Sequence, residues 1–285
     1  MAFVFAFADS SHASDKKLKI VASIAPLADF ARQVGGDRVD VILLLPPGAS
    51  PHIYEPTPKT IQQIAKAKVF IKIGAGLEFW ADKLIRTAAG NISVVECSEG
   101  IELIKAHGHN HNNIRGRNVD PHIWLDPVIC MEIVRKIEHA LSEADPANAG
   151  IYKKNAYIYM QKLTDLDREI AEKVRTFRSK EYVTFHPAWN YFSRRYGLRV
   201  VGVIEEGPGK EPTPKHMNRI LKELRQLDKK IIFAEPQFSP KLAEVIAREA
   251  GARVLFLDPL GGRENRASYI DLMRYNLDVM EKAMR

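Results

Sequence analysis

Four residues stand out by chemical type and by position: His52, His122, His186 and Asp258. Each ends or borders an apolar run, and each has a proline beside it: Pro51, Pro121, Pro187 and Pro259. Three imidazoles and one carboxylate form an N₃O donor set. That set suits Zn²⁺, which takes His nitrogen and carboxylate oxygen in a tetrahedron. Mn²⁺ favours more oxygen ligands and a higher coordination number, so it is the second candidate. With a divalent ion bound, three neutral imidazoles and one carboxylate leave a net charge of about +1, so little charge is buried uncompensated. His186, just ahead of Pro187, is expected at a helix N-terminus, which would disfavour its imidazolium form. Spacing alone equally allows the four side chains to scatter in space.

Positioning them falls to the flanking elements. The stretch DPHIWLDP, residues 120–127, reads as an apolar strand around His122 that feeds a helix, with Asp126 as N-cap and Pro127 as the first helical residue. In open α/β sheets such strand ends face the ligand crevice. Asp126 is read as that cap, or as a hydrogen-bond partner to a ligand histidine.

The rest of the chain repeats the pattern. Strands are expected at 19–24, 39–45, 69–73 and 92–96, with helices from Pro26 to Gly35, from Thr57 or Pro58 to Ala67, and from Glu78 to Ala88. The run VDVILLL at 39–45 reads as a parallel strand covered on both faces. A helix follows from Pro127 to about Ser142. Apolar residues then recur in steps of three and four from Tyr152 to Phe177, which predicts one helix over 146–177. At 1.5 Å per residue it would be roughly 48 Å long and could join two halves stiffly. Alternation resumes with strands at 181–185, 199–204, 231–234 and 253–257, and helices from Pro187, Pro214, Pro240 and about Ala267. The expected fold is α/β: two β/α sandwich lobes with mostly parallel sheets, joined by one long backbone helix. The expected boundaries are 1–17 for a signal remnant or disordered tail, 18–144 for the N-terminal lobe, 145–178 for the linking helix and 179–285 for the C-terminal lobe.

Composition excludes several classes. The net charge is +7, but Lys and Arg are interspersed with Asp and Glu along helices, which argues for solvated faces and against nucleic acid. No apolar run is long enough to span a membrane. The opening MAFVFAFADSSHASDKK resembles the end of an export signal, with Ser11-His12-Ala13 as the cleavage-like triplet. Cys97 and Cys130 lack metal-binding spacing and are expected as buried free thiols, although a disulfide could form in an oxidising compartment. His107, His109 and His111 form a short His-rich tract that could be an auxiliary metal loop or a solvated one. Glu55, Glu205, Glu206 and Glu235 read as structural or surface carboxylates, and His139 and His216 as solvated. Trp124 and Trp189 read as walls of the site.

The segments PPGASPHIYEPTP, DPHIWLDP, TFHPAWNYFSRRYGL, AEPQFSP and LDPLGG resemble the periplasmic zinc/manganese solute-binding proteins of ABC importers. The likeness runs through the chain after residue 18. It implies one metal held between two lobes by His52, His122, His186 and Asp258, and delivery to an ABC transporter membrane permease. Manganese-selective relatives tend to carry a carboxylate where this chain has His186, so the resemblance implies Zn²⁺. The expected protein is an exported monomer, periplasmic or otherwise extracytoplasmic, that is not an enzyme. The alternatives are a manganese-preferring relative and, from a different class, a zinc-dependent hydrolase. Against the hydrolase, the chain has no HExxH motif.

Overall fold

The computed structural model describes residues 17–81, 84–85, 92–105, 119–207 and 210–285. The tail, the His107–His111 tract and residues 82–83 and 86–88 of the expected 78–88 helix lie outside the described residues. The strands are β1 (Leu18–Ala22), β2 (Val39–Leu43), β3 (Val69–Lys72), β4 (Ser93–Glu96), β5 (Glu181–Thr184), β6 (Arg199–Val203), β7 (Ile231–Ala234) and β8 (Arg253–Phe256). The described helices are α1 (Ala25–Gly35), α2 (Pro58–Ala65), α3 (Pro127–Ala144), α4 (Ala149–Arg175), α5 (Asn190–Tyr196), α6 (Pro214–Gln226), α7 (Lys241–Ala250) and α8 (Tyr269–Met284).

Two four-stranded sheets result, ordered β2-β1-β3-β4 and β6-β5-β7-β8, and every pairing is parallel. Both sheets put the first two strands of their half side by side and then step across to the third and fourth. A parallel pair needs a crossover, which is why a helix or long loop separates each strand from the next. Strand position decides burial. The inner strands β3 and β7 are buried along their whole length, whereas β2, at a sheet edge, is buried only at Val39. The apolar run at 39–45 therefore does not mark a strand covered on both faces. It lies at an edge, where hydrophobic content alone is a poor guide.

The long helix is real but shorter at its start. Pro146–Asn148 forms a 3₁₀ turn before α4 begins at Ala149. Its buried face is the three-and-four series Tyr152, Ala156, Tyr159, Leu163, Leu166, Ile170 and Val174. Those side chains belong to one continuous core that takes in Ile20 and Ile71 of the first sheet and Tyr182 and Phe233 of the second. The last helix closes the join. Tyr269 donates its backbone N–H to Asp29 of α1 at 2.8 Å and its hydroxyl to the Trp124 carbonyl at 2.8 Å. Trp124 Nε1 in turn donates to the Pro259 carbonyl at 2.7 Å. Cys97 and Cys130 are both buried and free.

Candidate metal centre

His52, His122 and His186 come together where the carboxyl ends of the two sheets face each other. His52 lies in the loop after β2. His122 immediately precedes a 3₁₀ turn, Ile123–Leu125. His186 is two residues beyond β5. The expected strand at His122 is thus a tight turn. Asp120 and Pro121 redirect the chain there, and Asp120 Oδ1 accepts the His122 backbone N–H at 2.9 Å. Asp126 caps α3 as expected, its carboxylate accepting from Val128 N at 2.9 Å.

The ring nitrogens converge. His52 Nε2 is 3.2 Å from His122 Nε2 and 3.2 Å from His186 Nε2. Two imidazoles bound at about 2.0–2.1 Å to one tetrahedral zinc hold their nitrogens roughly 3.3 Å apart. The two observed separations match that spacing. Far-side partners fix the rings. His122 Nδ1 faces Asp120 Oδ1 at 2.7 Å, and His186 Nδ1 faces both Glu235 oxygens at 3.0 and 3.1 Å. An ionised carboxylate only accepts, so each Nδ1 carries the proton and each Nε2 offers its lone pair inward. Asp120 is itself held across the lobes, by Asn190 Nδ2 on Oδ2 at 2.9 Å and by the Tyr191 hydroxyl on its carbonyl at 3.0 Å.

Burial and neighbours set the protonation of the three rings. His52 is pushed well below its ordinary pKa by burial, and further by His186 and His122. Burial also lowers His122, against the opposing pull of Asp120. At His186 burial works downward too, but the charge and hydrogen bonds of Glu235 outweigh it and the net shift is upward. This corrects the expectation of a helix terminus disfavouring imidazolium. The helix starts at Asn190, beyond the turn at Pro187, and the nearby charge is a buried carboxylate.

Asp258 is placed differently. It is 1% exposed, two residues beyond β8, and is not part of the group formed by the three histidines. Its Oδ1 accepts from Leu260 N and Gly261 N at 3.0 Å each and from Gln237 Nε2 at 3.1 Å. Its Oδ2 is buried and takes no hydrogen bond among the described residues. The cavity between the rings is bordered by Trp124, Gln237, Phe238, Pro259 and Leu260 and measures about 10 Å³. That is room for one ion or one water, and far less than a pocket for an organic molecule. Trp124 borders it as expected; Trp189 is buried but does not.

Three other readings need correction. Glu235, read as a structural or surface charge, is 1% exposed and directly orients His186. Its signal was its place, an acid at the end of the apolar strand IIFA, the same place that singled out Asp258. The partner of His122 is Asp120 and not Asp126. His216 is not solvated, because its Nε2 lies 2.7 Å from the Val203 carbonyl and its ring is largely covered.

A two-lobed, all-parallel α/β protein with a three-histidine centre between its lobes belongs to the class of metal-specific solute-binding proteins. Residues 20–283 match the family of periplasmic zinc-uptake complex component A, ZnuA, and the chain belongs to that family. The high-affinity zinc uptake system protein ZnuA of Bacillus subtilis (strain 168) is 31% identical, over 96% of this chain and 90% of that protein. The zinc-binding protein AdcA of Streptococcus pyogenes serotype M1 is 30% identical over 94% of this chain, which spans 56% of AdcA. A zinc-bound AdcAII variant of Streptococcus pneumoniae superposes with a TM-score of 0.85 at 29% identity, covering 95% of this chain and 99% of that one. These relatives are named for zinc uptake or zinc binding, and none supports the zinc-hydrolase alternative.

Proposed function

We propose that this chain captures Zn²⁺ outside the cytoplasm and delivers it to an ABC permease, holding the ion with Nε2 of His52, His122 and His186 and the carboxylate of Asp258. The convergence of three lone pairs at zinc spacing, two of them aimed by buried carboxylates, carries this reading. The buried Oδ2 of Asp258 supports it as the fourth ligand, since its lone pairs are committed to no hydrogen-bond donor among the described residues. In this reading the lobes are residues 18–144 and 179–285, with 145–178 between them, and the protein acts as a monomer. A centre closed by four protein ligands has no open position for a reacting water, so the protein binds without catalysing.

The matched family is the periplasmic component of a zinc-uptake complex, which supports a membrane partner for this chain, in this reading an ABC permease. Among the described residues no helix is long and apolar enough to cross a membrane. Elemental analysis of the purified protein, followed by competitive titration of Zn²⁺ against Mn²⁺, tests the proposal. One zinc per chain that excess manganese does not displace is expected. Stoichiometric binding of manganese in preference to zinc would overturn the zinc assignment.

A further inference from the structure

Asp258 is fixed more tightly than the histidines, and one of its neighbours is a cation. Its backbone N–H donates to Asn276 Oδ1 at 2.8 Å, and Asn276 Nδ2 donates back to its carbonyl at 2.7 Å. Three donors occupy Oδ1. Arg266 Nε lies 3.4 Å from the remaining oxygen, Oδ2, and the pair lacks hydrogen-bond geometry: neither atom has such a bond among the described residues. The guanidinium is stacked 4.2 Å over the Tyr275 ring, and the Arg266 side chain is 11% exposed. Its backbone is pinned as well. Gly262 N donates to the Arg266 carbonyl at 3.0 Å, and a Cβ on Gly261, at φ +66°, would come within 3.0 Å of that same oxygen. This tight loop holds a largely covered positive charge beside the oxygen that the metal would need.

We propose that Arg266 is a built-in competitor for Asp258 that weakens zinc binding and speeds its release. The inference rests on Asp258 being the fourth ligand. With zinc absent, Arg266 attracts Oδ2. With zinc bound, the guanidinium repels the ion through a low-dielectric interior. The charges agree with such a role: Zn²⁺ and Arg266 together offset the buried carboxylates Asp120, Glu235 and Asp258. A neutral residue at 266 would leave the loaded site net negative and more favourable to a cation. A carrier has to give up its cargo, so a fixed opposing charge suits delivery better than the tightest grip.

The test is zinc titration against a chromophoric chelator, with stopped-flow release into excess chelator, on Arg266→Gln, Arg266→Lys, Asp258→Asn and the Arg266→Gln/Asp258→Asn pair. Arg266→Gln is expected to tighten zinc about tenfold, mainly through slower release, and Arg266→Lys to stay within about threefold of the parent. In the Asp258→Asn background the Arg266→Gln effect should shrink markedly. If Arg266→Gln does not fold, Tyr275→Leu, which frees the guanidinium from its stack, should tighten zinc by a smaller factor. If Asp258→Asn weakens zinc while removing the arginine charge leaves affinity unchanged or lower, the competitor role is wrong and the ligand assignment stands. If Asp258→Asn has no effect, the ligand assignment falls and the competitor role falls with it.

Discussion

His52 and His186 meet at the same point but are built in opposite ways. His186 is buried and follows directly from an inner strand, and Glu235 locks its ring from behind. His52 is only partly buried and sits in a loop beyond an edge strand, with no carboxylate behind its ring among the described residues. What steadies that loop is indirect: Trp80 Nε1 donates to the Pro51 carbonyl at 3.3 Å. His122 resembles His186, with Asp120 in place of Glu235. The site is thus a prepared pair of rings plus one more adaptable ring. Pre-aimed donors give affinity at low ordering cost, so on the proposed metal site the loop-borne ring is the one expected to let go first.

The strongest way to break this contrast is to delete the rings. His186→Ala and His122→Ala should each lose zinc affinity by on the order of a thousandfold, with the fold retained. His52→Ala should lose less, and its main effect should be faster dissociation. Chelator competition and stopped-flow release measure both, with circular dichroism checking the fold. Equal losses at all three positions would erase the distinction.

Acidity sharpens it next. Zinc binds neutral imidazole, so protons compete with the ion. The His186 pKa is raised above 6.5 and those of His52 and His122 are lowered, so His186 is the first to compete as pH falls. Affinity should decline slowly from neutrality and more steeply below about pH 6. Zinc binding that is equal at pH 5 and pH 7.5 would contradict a three-histidine centre. The metal-free protein shows the opposite sign at one residue. Because the folded-state pKa of His186 is raised, its contribution to stability is present in full below 6.5 and disappears as pH climbs through the raised value.

Glu235→Gln should cost about 10- to 100-fold in zinc affinity, and it should bring the His186 titration, followed by NMR, to lower pH. An unshifted titration would mean that Glu235 is only a packing residue. The smallest effect is expected from Trp80→Phe. It removes one hydrogen bond to the His52 loop, worth about 1 kcal/mol, and should weaken zinc by no more than about fivefold. Isothermal titration would detect it.

Much of this is legible in the amino-acid sequence. Prolines after polar residues marked the starts of α2, α3 and α6, because proline suits the first helical turn. Strand-helix alternation gave the parallel lobes, and the three-and-four series from Tyr152 gave α4. The three histidines are legible because imidazole is rare and each lies beside a proline in the stretch that follows or adjoins an apolar run. Glu235 and Asp120 were harder. Carboxylates are common at loop ends, and whether one is solvated or buried behind a ring depends on contacts across the fold, such as Glu235 with His186, 49 residues away. The turn at His122 was missed because IWL is equally apolar in a strand and in a 3₁₀ turn. The edge position of β2 depends on sheet order, which a run of Val, Ile and Leu does not encode.

The core that the two halves share around α4 has one more consequence. Side chains from both sheets pack on the same helix, and α8 returns from the second sheet to α1. Each half also has a smaller cluster of its own, around Val21 and Phe70 in the first and around Val183 and Ile246 in the second, but the largest core is the one they share. Heat should therefore unfold the chain in one cooperative step, and an ion gripped at the seam should raise the melting temperature of the whole molecule at once.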